Sequence, residues 1–142
     1  MKDDRDKVRQ IVNDVWFLGQ KSEPATEADQ QTALDLLDTL RAHKEDCVGM
    51  AANMIGVRKN IIAVQMGFAE VLMYNPRIVK HAGPYETEEG CLSLEGTRKC
   101  KRYRQITVEY QDIHLKKQRQ DYSGWIAQII QHECDHLQGI LI

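Results

Sequence analysis

The sequence predicts an α+β fold: short antiparallel strands packed around a C-terminal helix, with further helices at the N-terminal end. Three observations predict it. Apolar residues recur at helical spacing near both ends of the chain, while the middle holds short, branched-residue runs separated by turn residues. The last helical pattern contains "IIQHECDHLQG", residues 129–139, which sets His132, Glu133 and His136 on one helix. A length of 142 residues suits one compact domain with a real core, so 1–142 reads as a single domain without repeats or linkers.

Taken in order, "DKVRQIVNDVWFLG" spaces Val8, Ile11, Val12, Val15 and Leu18 along one face of a first helix, with Gly19 as its stop. "KSEPATEADQ" reads as a polar connector. Thr26 is placed to cap a second helix, and Asp29 stands where a capping-box acid belongs. That helix carries Ala33, Leu34, Leu37 and Leu40 on one face and frays near Lys44. After "CVGMAANMIG", residues 47–56, the segments "NIIAVQM" and "EVLMYNP" flank Gly67 as paired strands. "YNPRIVKHAGPYETEEGCLSL" mixes turn residues with further strand-like pieces. "QITVEYQDI" puts Ile106, Val108 and Tyr110 on one side of a strand, and "HLKKQRQDY" is expected to pair with it. From Ser123 the helical spacing returns in Trp125, Ile126, Ile129 and Ile130, and Gly139 closes the pattern.

Composition narrows the function classes. Hydrophobic residues make up 42% and charged ones 28%, as in an ordinary globular protein. A net charge of −2 gives no reason to expect a nucleic-acid partner, and the basic run Arg98–Arg104 lies among acidic neighbours as a solvated face or ion-pair network. No apolar run approaches the roughly 18 residues that span a bilayer. "MKDDRDKVRQ" lacks the apolar centre of a signal peptide, so a cytoplasmic location is expected. Cys47, Cys91, Cys100 and Cys134 form no C-x-x-C pair and are expected as free thiols or metal ligands.

Two histidines four apart differ by only about 40° around a helix axis, so both imidazoles leave one face and can share a metal ion. Glu133, between them, is placed to manage the protons of a water there. A catalytic site wants a third protein ligand and an open position. "EEGCLSL" offers Cys91, and a thiolate with two imidazoles suits zinc or ferrous iron.

These motifs resemble those of the peptide deformylase family. That family carries G-x-G-φ-A-A-x-Q (φ apolar), E-G-C-L-S and H-E-x-x-H in this order. Here they stand as Cys47–Met54, Glu89–Ser93 and His132–His136, the last two in full. "YNPRI", residues 74–78, resembles the family's Asn-Pro strand end, and the likeness runs from about residue 30 to the C-terminus. The end of the chain is similar to the family's short forms. The resemblance implies hydrolysis of the N-formyl group from formyl-methionyl N-termini of newly made polypeptides, with release of formate. It implies one divalent metal ion held by Cys91, His132 and His136, Fe2+ in the natural state and Zn2+ or Ni2+ in preparations. Glu133 is then the general base, and the Leu92 backbone N–H donates to the oxyanion. Gly49 and Gly90 let the substrate backbone lie close, and Val48, Trp125 and Ile129 line the methionine pocket. The implied partner is a formyl-methionyl peptide, met on ribosome-associated nascent chains.

The first motif departs from the pattern twice. Cys47 replaces a glycine, which a negative φ accommodates. Met54 replaces the glutamine whose amide is, by resemblance, the second donor to the formyl oxygen; a thioether has no N–H to give. Losing such a donor reduces rates by about 10²–10³. Asn53 beside it does carry an amide. The expected activity is therefore deformylation weakened at Met54. The alternative is a catalytically weak or inactive deformylase-like metal-binding protein that binds formylated or free N-terminal peptides. A general H-E-x-x-H endopeptidase fits less well, because nothing after His136 offers a third ligand. Asp135 is expected to pair with Arg102 or Arg104, and Cys100 and Cys134 to be unligated thiols.

Overall fold

The structure, a computed structural model, describes residues 8–142. Strands β1 (Gly49–Ala51), β2 (Ile61–Gln65), β3 (Glu70–Cys91), β4 (Leu94–Gln111) and β5 (Lys117–Ser123) form a single sheet in chain order. Every pairing is antiparallel. Helices α1 (Val15–Leu18) and α2 (Gln30–Ala42) precede the sheet, and α3 (Gly124–Leu137) follows it. The α+β expectation holds, with two strands much longer than expected.

β2 explains how the layers assemble. Successive side chains on a strand point to opposite faces. Ile61 and Ala63 enter one core with Leu36, Leu40 and Met54, beneath α2. Ile62 and Val64 enter a second core with Ile106, Val108 and Ile130, beneath α3. A strand covered on both faces reads as an unbroken apolar run, which "IIAV" is. The β2–β3 hairpin, the β4–β5 pairing and the Thr26–Asp29 capping box all stand where the sequence put them.

Three expectations need correction. The first helix is reduced to Val15–Leu18, with Gly19 at its C-terminal end. Its expected start at Asp6 and Lys7 lies outside the described residues. From residue 8 to 14 the chain is irregular, because its donors go elsewhere. Arg9 N–H donates to Thr39 Oγ1 at 2.8 Å, and Val12 N–H to the Met54 carbonyl at 2.8 Å. This strap also changes the inner face of α2. Asp35, paired with Arg9 at 3.2 Å, and Thr39 are buried beside Ala33, Leu36 and Leu40, while Leu34 is exposed. Third, "YNPRIVKHAGPYETEEGC" is no string of pieces but the body of one strand of 22 residues. Pro76, which has no N–H for a ladder, falls in a register shift between Tyr74 and Arg77. Farther along, Glu86 faces Lys101 and Glu88 faces Lys99, so opposite charges hold the exposed hairpin in register.

That hairpin and α3 position the site. β3 ends at Cys91, the turn is Leu92–Ser93, and the chain returns as β4. α3 packs across one face of the sheet and touches all five strands. A Cβ on Gly49 would stand 2.6 Å from Ile129 Cγ2 and 3.0 Å from Glu133 Oε2, so only glycine lets β1 and α3 approach this closely.

Candidate metal centre

The sulfur of Cys91 and one ring nitrogen from each of His132 and His136 lie within 4.8 Å of one another. The tip of one hairpin and one face of one helix therefore deliver three ligand atoms to a common point. His132 and His136 turn their Nε2 atoms toward each other at 3.0 Å. His132 Nδ1 lies 2.7 Å from Glu89 Oε1. Ionised Glu89 can only accept, so Nδ1 carries the proton and Nε2 is the ring atom left to face a shared cation.

Glu89 is itself fixed. Buried Arg102 donates to it through Nη2 at 2.7 Å and Nε at 3.0 Å, and Gln128 Nε2 donates at 2.7 Å. Burial acts to raise the Glu89 pKa, but bonds from His132, Arg102 and Gln128 outweigh it and hold the carboxyl at about 2. The remaining face of Arg102 donates to Asp135 at 2.7 Å, the pairing expected for Asp135.

The donor set fits a cation. Burial lowers the basicity of His132, yet the Cys91 sulfur and the Glu89 and Glu133 carboxylates overcome this and raise its pKa to about 10. Burial, with His132 charged beside it, drives His136 down to about 3. This spot thus attracts positive charge but admits only one proton between two rings. The buried His136 Nδ1 has no partner among the described residues. Two imidazoles converging in this way, with a thiol beside them, are satisfied by one metal ion.

Glu133 is buried at the same place, and its Oε1 has no partner among the described residues. Burial first, partly offset by His132, pushes its carboxyl up to about 7. Such a group can take and return a proton near neutrality. A cavity of about 240 Å³ opens over His132 and Glu133. Val48, Gly49, Gly90, Leu92, Trp125 and Ile129, all expected there from the sequence, line it, and so does Met54. A Cβ on Gly90 would make only ordinary contacts, the nearest at 3.4 Å from the Gly96 carbonyl. Gly90 therefore leaves the cavity wall open, whereas Gly49 answers first to α3.

The first-motif wall differs in character. Cys47 is not among the described residues with positive φ, which accommodates its side chain. Burial and the nearby Glu133 carboxylate push its thiol up to about 12, and Sγ–H donates to the Gly49 carbonyl at 2.8 Å. Burial likewise raises the Cys134 thiol to about 12 and that of Cys100 to about 11, and neither sulfur joins the converging ligand atoms among the described residues. Met54 is 1% exposed, and its Sδ accepts from the Ala51 N–H at 3.5 Å. Asn53 does not replace the missing amide: its Nδ2 donates to the His136 carbonyl at 2.9 Å, away from the cavity. Sequence reasoning gave no role to Glu89 or Gln128, which also line the cavity. Their signals were present, since Glu89 opens the E-G-C-L-S run and Gln128, His132 and His136 recur every four residues along one helix face.

Converging ligand atoms, a buried acid with a raised pKa and an adjoining cavity define a mononuclear metallohydrolase. Comparison with known proteins gives the family. The polypeptide deformylase family model matches residues 6–142. A peptide deformylase from Clostridium beijerinckii is 56% identical over 135 residues, covering 95% of this chain and 99% of that protein. The crystal structure of peptide deformylase from Thermotoga maritima superposes with a TM-score of 0.84 at 29% identity, over 95% of this chain and 94% of the other. A Met-Ala-Ser-bound class I type b peptide deformylase from Acinetobacter baumannii gives 0.83 at 26% identity, over 94% and 95%. This chain belongs to the peptide deformylase family.

Proposed function

We propose that this chain hydrolyses the N-formyl group from formyl-methionyl N-termini of newly made polypeptides and releases formate. The observation that carries the reading is the convergence of Cys91, His132 and His136 within 4.8 Å beside the buried Glu133. Cys91, His132 and His136 hold one divalent ion, Fe2+ in the cell, where the soft thiolate and two imidazoles suit it. When bound, the ion acidifies a water and polarises the formyl carbonyl. Glu133 takes the proton of that water and passes it to the departing amine, a task matched to its pKa of about 7. The Leu92 N–H, which meets no acceptor among the described residues, donates to the oxygen as charge develops there. Val48, Trp125 and Ile129 receive the methionine side chain, and Gly90 lets the peptide backbone lie close. Residues 1–142 work as one domain, in the cytoplasm, where ribosome-associated nascent chains are met. The family match over residues 6–142 supports that extent.

One observation favours a second reading, a deformylase-like protein that binds metal and N-terminal peptides with little turnover. Met54 brings no amide donor to the cavity, and Asn53 spends its own on His136. An anaerobic formate-release assay on formyl-Met-Ala-Ser with iron-loaded protein decides between them. Weak but measurable release, lost in Glu133→Ala, is expected for the enzyme. Full metal occupancy with no release establishes the binding protein instead.

A further inference from the structure

We propose that Gln128 reads the sulfur of the substrate's first side chain and so makes this site prefer methionine over its hydrocarbon isostere. The inference rests on the formyl-methionyl reading above. Gln128 lines the cavity, one turn before His132 on α3. Around it the wall includes the apolar Val48, Leu92, Trp125 and Ile129. Its amide is held at both ends: Nε2 donates to Glu89 Oε2 at 2.7 Å, and Oε1 accepts from Tyr85 O–H at 3.2 Å. Because Glu89 is an ion-paired carboxylate that only accepts, these two bonds fix which end of the amide is nitrogen.

An amide nitrogen carries two N–H groups pointing in different directions. Glu89 takes one. The other meets no acceptor among the described residues. Before substrate enters, water can satisfy it. A bound hydrocarbon side chain would strip that water and return nothing, which is unfavourable. A thioether fills nearly the same volume and returns a weak acceptor, and a sulfoxide returns a strong one. The site therefore discriminates against side chains without an acceptor as much as it selects methionine.

The test compares kcat/KM for formyl-Met-Ala-Ser, formyl-norleucyl-Ala-Ser and the formyl-methionine-sulfoxide peptide in iron-loaded wild type, Gln128→Leu and Tyr85→Phe. Wild type is expected to favour methionine over norleucine by about threefold or more, the scale of one weak hydrogen bond. Gln128→Leu should erase that preference and lower the sulfoxide peptide about tenfold against norleucine, while Tyr85→Phe falls between. The same three ratios in wild type and Gln128→Leu overturn the inference. So does a wild type that cleaves norleucine as well as methionine, a result that needs no variant to fold. If no peptide is deformylated at all, the proposed function fails separately. Calorimetric affinities for Met-Ala-Ser and norleucyl-Ala-Ser then carry the comparison, and equal affinities sink it.

Discussion

Two walls meet over the proposed metal position, and they are held by different forces. The wall built from Cys91 and α3 is organised by charge. Asp135, Arg102, Glu89 and His132 form a continuous chain of short polar contacts, and each fixes the next. The wall built from residues 47–55 is organised by packing. Met50, Ala52, Met54 and Ile55 belong to the core beneath α2, and the Met54 sulfur is turned back onto its own backbone. A polar network can keep lone pairs aimed at an external ligand because every other atom in it is already satisfied. An apolar wall offers shape but few donors. The chemistry of this site is therefore concentrated on one side of the cavity, and shape on the other.

The sharpest way to break the comparison is to remove the centre of the polar wall. Arg102 is 3% exposed and neutralises two carboxylates. Arg102→Met leaves Glu89 buried beside His132 with Gln128 as its remaining neutral donor. Breaking a buried pair this way costs about 3–5 kcal/mol. Chemical denaturation should show a loss at the lower end, since His132 and Gln128 still bond Glu89.

The next test addresses the packed wall alone. Met54→Gln restores an amide where the family pattern has one. A gain in kcat/KM approaching 10²–10³ is expected if the side chain reaches the formyl oxygen. Metal content by elemental analysis should not change, because Cys91, His132 and His136 are all retained. A wild type already as fast as Met54→Gln would show that a donor other than residue 54 serves the oxygen. Glu89→Gln should do the reverse. An amide facing His132 Nδ1 no longer enforces the tautomer, and metal affinity should fall about 10–100-fold in a chelator competition. Glu89→Gln with unaltered affinity would mean that the polar wall does not organise the site.

The same contrast governs what the sequence revealed. H-E-x-x-H and Cys91 were legible because ligand chemistry restricts residue type and spacing together. β2 was legible because burial on both faces leaves a continuous apolar run. The irregular strap at residues 8–14 was not. Its apolar spacing fits a helix, but the Arg9 and Val12 amides bond Thr39 and Met54, partners 30 or more residues away. Nor was the length of β3, since Pro76 and Gly83 mark turns locally and are absorbed only by the long pairing with β4. Asn53 was ambiguous for the same reason. Adjacent positions on the single 3-10 turn Ala52–Ile55 face different ways, and only the fold shows its amide on the His136 carbonyl.

That bond is the polar tie between the two walls, and it supplies the smallest of these tests. The His136 carbonyl also accepts from the Gly139 N–H at 3.0 Å, so it is not stranded when Asn53 is removed. Asn53 Oδ1, in turn, is buried without a partner among the described residues, a debit the native side chain already carries. Asn53→Ala therefore deletes one neutral hydrogen bond and one unsatisfied oxygen together. The two effects oppose each other, and the net destabilisation should be about 1 kcal/mol. If the walls are as separate as their chemistry suggests, metal affinity stays within about twofold of wild type, because Cys91, Glu89 and Arg102 hold the ligand face without help from Asn53. A drop of tenfold or more in chelator competition would show that the packed wall steadies His136 through its backbone, and that the division between shape and charge is less complete than the contacts imply.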